Sequence, residues 1–244
     1  MVHQKTTKPA PKGVRYLWVA ILLMCGAAAF AVQENLLFTD MHVSSMQSIG
    51  YTIILDAGHG GEDGGAVSGD GAMEKDINLE ITQKLRPLLE ASGIQVVTIR
   101  DSDIDVANKE LETVRERKVS DLHNRLQLAE EIENGILVSI HQNHFSESQY
   151  YGTQIFYSPN DPQSQSLAEC IRSTVVQMLQ PENKRECKAA GSSIYLLWNS
   201  TNPAVIVECG FLSNPSEAKK LQDPEYQSQM AFAIWSGLMD FLDT

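Results

Sequence analysis

Residues Ile54–Lys75 read ILDAGHGGEDGGAVSGDGAMEK. The stretch opens as a buried strand, becomes a loop with almost no apolar content, and ends where a helical pattern begins. Seven glycines lie in it, each losing more conformational freedom on folding than any other residue would. Core packing cannot order such a loop, so something else must fix it, or it is floppy. A strand, a glycine loop and a helix in that order suit a phosphate cradle, but there is no GxxxxGK[ST] run, and Glu62, Asp63 and Asp70 would repel an anion. A metal site and a ligand-free loop remain. In either reading these three acids are expected to face solvent.

Outward from this stretch, apolar runs alternate with helical periodicity. Tyr51–Asp56 reads as a first strand. Glu74–Ala91 follows as a helix, with Ile77, Ile81, Leu85 and Leu88 on one face, Pro87 bending it and Gly93 stopping it. Ile94–Ile99 reads as a second strand. Ser120–Glu133 reads as a helix burying Leu122, Leu126, Ala129 and Ile132, with His123 on its surface. Ile136–Ile140 is a third strand and Gly152–Tyr157 an edge strand. Ser164–Leu179 is a helix, Ala204–Val207 another buried strand and Glu225–Leu242 a closing helix. The charged run Lys109–Lys118 reads as a solvated insertion. The order implies an α/β fold: one domain, a mostly parallel twisted sheet, helices on both faces.

In such sheets ligands bind beyond the carboxyl ends of the strands. Gly58-His59-Gly60-Gly61 follows the first strand, His141-Gln142-Asn143-His144 the third and Glu208-Cys209-Gly210 the late one, while Glu74 opens a helix. Imidazole and carboxylate suit zinc, and a catalytic zinc takes three protein ligands and leaves a place for water. His59, Glu74 and His141 supply such a set from three separate elements, with glycines beside His59 to let the backbone turn. Plainer alternatives stand beside this one: a loop histidine, a first-turn glutamate favoured by the helix dipole, and a satisfied core histidine.

The chain has 244 residues and a net charge of −12. Its first 15 residues carry Lys5, Lys8, Lys12 and Arg15 and no acid; without these four cations the remainder stands at −16, which argues against nucleic acid. Tyr16–Val32 is an unbroken apolar run of 17 residues ending near an A-x-A site at Ala29–Ala31, and reads as a signal peptide or a retained membrane anchor. Residues 33–50 read as a linker and 51–244 as the functional domain. Cys170, Cys187 and Cys209 do not form a disulfide framework; a Cys170–Cys187 pair and free buried thiols are both open.

Four motifs, GHGG, EKDINL, SIHQN and VECGFLSNPSEAKKL, in this order and separation over Tyr51–Leu242, resemble the zinc-dependent N-acetylmuramoyl-L-alanine amidases of the Amidase_3 type. The resemblance implies one zinc ion on His59, Glu74 and His141, Glu208 as the catalytic carboxylate, and peptidoglycan glycan strands with stem peptides as substrate. It implies hydrolysis of the amide between N-acetylmuramic acid and L-alanine. Asn143 would orient substrate or a ligand, and Asp56 would accept from a ligating imidazole. Arg100 and Arg125 match positions where the family has Arg, Arg100 being a tie to acids or a substrate clamp. His144, where the family has a small residue, would line the cleft. The short segment after His141 resembles the spore-cortex germination amidases, whose peptide removal precedes muramic δ-lactam formation. That implies export to the outer face of the cytoplasmic membrane or the cell wall, in the forespore envelope on the mother-cell side, with membrane contact through the N-terminal segment. A protein partner that activates or stabilises the enzyme is left open. So are a vegetative autolysin, a non-catalytic peptidoglycan-binding protein and a carboxypeptidase.

Overall fold

The computed structural model describes residues 50–243, within one compact unit, Ser48–Thr244. The basic start, the apolar run and nearly all of the expected linker lie outside the described residues. Strand β1 (Thr52–Ala57) leads through the glycine loop to helix α1 (Glu74–Ala91) and β2 (Gln95–Thr98). Then come α2 (Val114–Glu130), β3 (Gly135–Asn143), β4 (Gln154–Tyr157), α3 (Gln163–Met178) and the short β5 (Lys188–Ala189). The chain closes with α4 (Tyr195–Asn199), β6 (Ala204–Phe211), α5 (Pro215–Leu221) and α6 (Pro224–Leu242).

The sheet order is β2-β1-β3-β6-β4-β5. β2, β1, β3 and β6 pair in parallel, and β4 runs antiparallel to β6. The segment expected as an edge strand is therefore one place inside the edge, because the two residues of β5 pair with its outer side. Alternate β residues face opposite ways, and each face has its own apolar cluster. Ile53, Leu55, Val138, Ile140, Val205 and Val207 pack with Leu85 of α1, Ile171 of α3 and Ile234 of α6. On the other face Ile54, Leu137 and Ile206 meet Ala129 of α2 and Leu197 of α4. Among the described residues no helix is long and apolar enough to cross a membrane. The three described cysteines are free, so Cys170 and Cys187 are not bridged.

Helix α2 departs most from the pattern. It starts at Val114 rather than Ser120 because Thr113 and Glu116 form a capping box: the Glu116 N–H donates to Thr113 Oγ1 at 3.2 Å and the Thr113 N–H to Glu116 Oε2 at 3.0 Å. The end of the supposed solvated insertion is thus the first turn of this helix. Its buried face is Asp121, Arg125 and Ala129, whereas Leu122 is 39% exposed. The helix turns charged groups inward and an apolar one outward.

Candidate metal centre

Registers Asp56↔Ser139 and His141↔Glu208 bring the ends of β1, β3 and β6 together. Gly58 lies against the His141 ring; a Cβ there would sit 2.2 Å from it, so only glycine fits. The chain then reverses through His59, whose φ is 62°. A left-handed conformation costs a non-glycine residue about 1–2 kcal/mol, so the turn needs bracing. Gly60 and Asp63 exchange backbone hydrogen bonds of 2.9 and 3.0 Å across it.

Two buried arginines supply the rest of the bracing. Arg100 donates to the carbonyls of Ala57 at 2.7 Å, Gly58 at 3.1 Å, Lys75 at 2.8 Å and Ser102 at 3.0 Å. Its side-chain hydrogen bonds go to these carbonyls rather than to acids. Its fixed fork of N–H groups matches carbonyls on three separate segments around the turn. Arg125 donates to the carbonyls of Ala57 at 3.0 Å and His59 at 2.6 Å, to Asp121 at 2.6 Å and to Asp56. Asp56, fully buried, also accepts from Ser139 Oγ at 2.6 Å. Burial raises the cost of its charge, but Arg125 and Ser139 outweigh this and hold its carboxyl below the usual range. Asp56 therefore serves Arg125, and no imidazole donates to it. The guanidinium and carboxylate contacts lie along the loop.

On this base three side chains converge. Glu74, at the start of α1, places Oε2 3.2 Å from His59 Nε2 and Oε1 2.9 Å from His141 Nδ1. One donor atom from each of the three falls within 4.8 Å of the others, and the two rings meet edge to face at 5.0 Å. Backbone N–H groups of Ala66 at 2.8 Å and Gln142 at 3.0 Å also donate to Glu74. Burial opposes its charge, but the two histidines hold its carboxyl far below the usual range. For His59, burial pulls the pKa down while Asp63 and Glu74 lift it to about 9.

The acids of the loop do not simply face solvent. Asp63 Oδ2 lies 2.8 Å from His59 Nδ1, so Nδ1–H donates to it and Nε2 is left toward Glu74. Lys118 of α2 pairs with the other Asp63 oxygen at 2.8 Å and Arg117 with Glu62 at 2.7 Å. Asp70 accepts from Ser68 at 2.5 Å and from Gln222. Asn78, also missed, donates to the Gly58 carbonyl at 3.0 Å. The signals existed: Asp63 is four residues after His59 in a turn, and Asn78 one helical turn after Glu74.

Glu208 projects from β6 on the same sheet face as His141, and its Oε2 is buried with no hydrogen-bond partner among the described residues. Burial pushes its carboxyl up to about 7 against the pull of His141, with the Glu74 charge adding to the rise. A buried carboxylate oxygen left over beside two imidazoles and a second carboxylate fits a site built for a cation and a water. Two imidazoles and a carboxylate are an open-site donor set for such an ion. Asn143 is half-buried past a bulge in β3, its carbonyl accepting from Leu212 N–H at 2.8 Å. His144 is exposed and stands apart from the three converging side chains. His59 and His141 open onto a cavity of about 150 Å³, bounded by Lys118 and Leu122 of α2 and Leu196 of α4. His144 is not on its wall.

Comparison with known proteins places the chain in a family. The family profile described as N-acetylmuramoyl-L-alanine amidase, Amidase_3, matches residues 53–240. A germination-specific N-acetylmuramoyl-L-alanine amidase of Bacillus subtilis is 36% identical over 197 residues, 81% of this chain and 82% of that one. The structure of the CwlD amidase from Clostridioides difficile, solved in complex with the GerS lipoprotein, superposes with a TM-score of 0.76 at 42% identity, covering 79% of this chain and 98% of that one. The amidase AmiC2 of Nostoc punctiforme superposes with a TM-score of 0.68 at 30% identity, covering 80% of this chain and 98% of that one. With its fold, its converging His59, Glu74 and His141, and these matches along most of its length, the chain belongs to the Amidase_3 family of N-acetylmuramoyl-L-alanine amidases.

Proposed function

We propose that the chain is a zinc-dependent amidase that removes stem peptides from peptidoglycan by hydrolysing the bond between N-acetylmuramic acid and L-alanine, in the step of spore-cortex maturation that precedes muramic δ-lactam formation. The observation that carries the chemistry is the convergence of buried Glu74 with half-buried His59 and His141 beside the orphaned carboxylate oxygen of Glu208. The likeness to the germination-specific amidase and to the CwlD amidase supports the spore setting.

His59, Glu74 and His141 would hold the zinc, and Asp63 fixes the His59 ring through Nδ1–H. Zinc, once bound, would supply Lewis acidity that polarises the amide carbonyl and acidifies water. Glu208 accepts a proton from the attacking water and returns it to the nitrogen of the departing alanine. A carboxyl lifted to about 7 can do both near neutral pH. Arg100 and Arg125 keep the His59 turn in place and do not reach substrate. Asn143, at the strand end, orients the glycopeptide.

The basic start and apolar run export the catalytic domain, as a released or membrane-held enzyme on the outer side of the cytoplasmic membrane. A protein partner belongs to the same proposal, supported by the lipoprotein complex of the CwlD relative.

Product analysis on purified peptidoglycan tests the chemistry. Wild type should release free stem peptides beginning with alanine, and Glu208→Gln should keep its zinc while turnover falls by about 10²–10⁴. Shortened stems still joined to muramic acid would make the enzyme a carboxypeptidase. Retained turnover would remove Glu208 from its role.

A further inference from the structure

Asn78 lies one helical turn after Glu74 in α1 and has no exposed surface. Its side chain bonds to all three segments that carry the converging residues. Its Nδ2 donates to the carbonyl of Gly58, next to His59, at 3.0 Å and to Glu74 Oε1 at 3.4 Å. Its Oδ1 accepts from Nε2 of Gln142, next to His141, at 3.1 Å. A carbonyl and a carboxylate only accept, so the amide nitrogen of Asn78 faces Gly58 and Glu74 and its oxygen faces Gln142. Gln142 is 2% exposed and turns its Nε2 to Asn78 although its own Oε1 is left buried with no partner among the described residues. Its backbone N–H donates to Glu74 Oε1 at 3.0 Å, which closes the ring of contacts.

We infer that Asn78 is the positioning residue of the metal centre: one buried amide, held by Gln142, sets the separation of the His59, Glu74 and His141 segments and with it the grip on the ion. The inference rests on the zinc reading above. Apart from the two histidines, Asn78 is the only side chain among the described residues that hydrogen-bonds to Glu74, since Ala66 and Gln142 donate through backbone N–H groups. Partners of this kind orient a ligating carboxylate. The arginines do not duplicate the role. Arg125 bonds to the His59 segment alone of the three, and Arg100 to that segment and to the Lys75 carbonyl, whereas Asn78 reaches the His141 segment as well. Neither Asn78 nor Gln142 is on the wall of the cavity that His59 and His141 open onto, so neither touches substrate there.

The test has three readings on the full chain: zinc affinity by chelator competition, the visible absorption of the cobalt(II)-loaded protein, and denaturant unfolding of the metal-free protein. Asn78→Leu keeps the approximate size of the side chain and removes its hydrogen bonds. Zinc affinity should fall about 10- to 100-fold, and the cobalt(II) spectrum should change in shape. A weakened fold alone would lower the amount of loaded protein and leave that shape as it is. The second variant joins Gln142→Met to Asn78→Leu. Replacing both partners of a buried pair by apolar groups of similar shape is nearly neutral for stability. Unfolding of the metal-free double variant should therefore return toward wild type, while zinc affinity stays low and the cobalt(II) spectrum stays altered. Recovery of affinity together with stability would make Asn78 a purely structural residue and overturn the proposal. So would a wild-type affinity and spectrum in Asn78→Leu. If Asn78→Leu does not fold, the double variant decides by the same readings. Those results leave the zinc reading standing, whereas failure of the wild type to bind either metal refutes that reading and this proposal with it.

Discussion

The two faces of the sheet are built by different means. One is covered by α1, α3 and α6 over an apolar layer in which Leu85, Leu167, Ile171 and Ile234 have no exposed surface. The other carries a smaller apolar cluster, and its outer end is filled by Asp56, Arg125, Asp121 and Ser139, all buried, beneath the His59 turn. The first face works by area removed from water, which is non-directional and tolerant of small shifts. The second works by charge-assisted hydrogen bonds, which fix direction as well as distance. Aiming three converging side chains needs the second kind of support.

Breaking the polar side should cost the most. Arg125→Met leaves Asp56 and Asp121 without their cation and removes donors from the Ala57 and His59 carbonyls. Breaking a buried pair from one side costs about 3–5 kcal/mol. Denaturant unfolding should show that loss, and zinc affinity should fall with it. Leu85→Ala, on the apolar side, should cost about 2–5 kcal/mol. Zinc affinity measured well below the unfolding midpoint should stay at the wild-type value. A fall in affinity there would show that the faces are not independent.

Acid separates them further. The folded-state pKa of Asp56 is held below its ordinary 3.8. Its contribution to stability is therefore complete above about 3.8 and drains away as pH falls below that value toward the depressed one. Wild type should lose stability steeply below pH 4, and Arg125→Met, having already lost the pair, should show a shallower slope over the same range. A parallel pair of pH profiles would remove Asp56 from this role. The mildest change is Asp63→Asn, which weakens the acceptor at His59 Nδ1. Zinc affinity should fall about 10- to 100-fold, while unfolding in the absence of metal shifts by less than it does for Leu85→Ala.

The apolar face was legible in the sequence because its helices and strands keep their periods. Ile77, Ile81 and Leu85 recur at helical spacing, and the buried runs of β1, β3 and β6 stand out from their flanks. The polar face was not, because a guanidinium under a loop leaves no apolar period to read. On α2 the pattern misled: Leu122 and Leu126 mark an apolar stripe, but the helix is rotated to bury Asp121 and Arg125. The converging residues His59, Glu74 and His141 were legible from their place at strand and helix ends. The partners of His59 were not, since Asp63 reads as one more acid in a glycine loop until the His59 turn is seen to bring it back.

The close fit of Gly58 against the His141 ring has a consequence for the order in which the protein assembles. His59 and His141 come to one face only when β1 and β3 pair in this register; a slip of one residue would turn one of them to the opposite side of the sheet. That pairing joins segments far apart in the chain, and closing the long stretch between them carries an entropic cost. A metal ion bound by these side chains would therefore meet no competent site in a half-folded chain. Its uptake would mark the completion of the central strand pair, and a mispaired chain would leave folding without it.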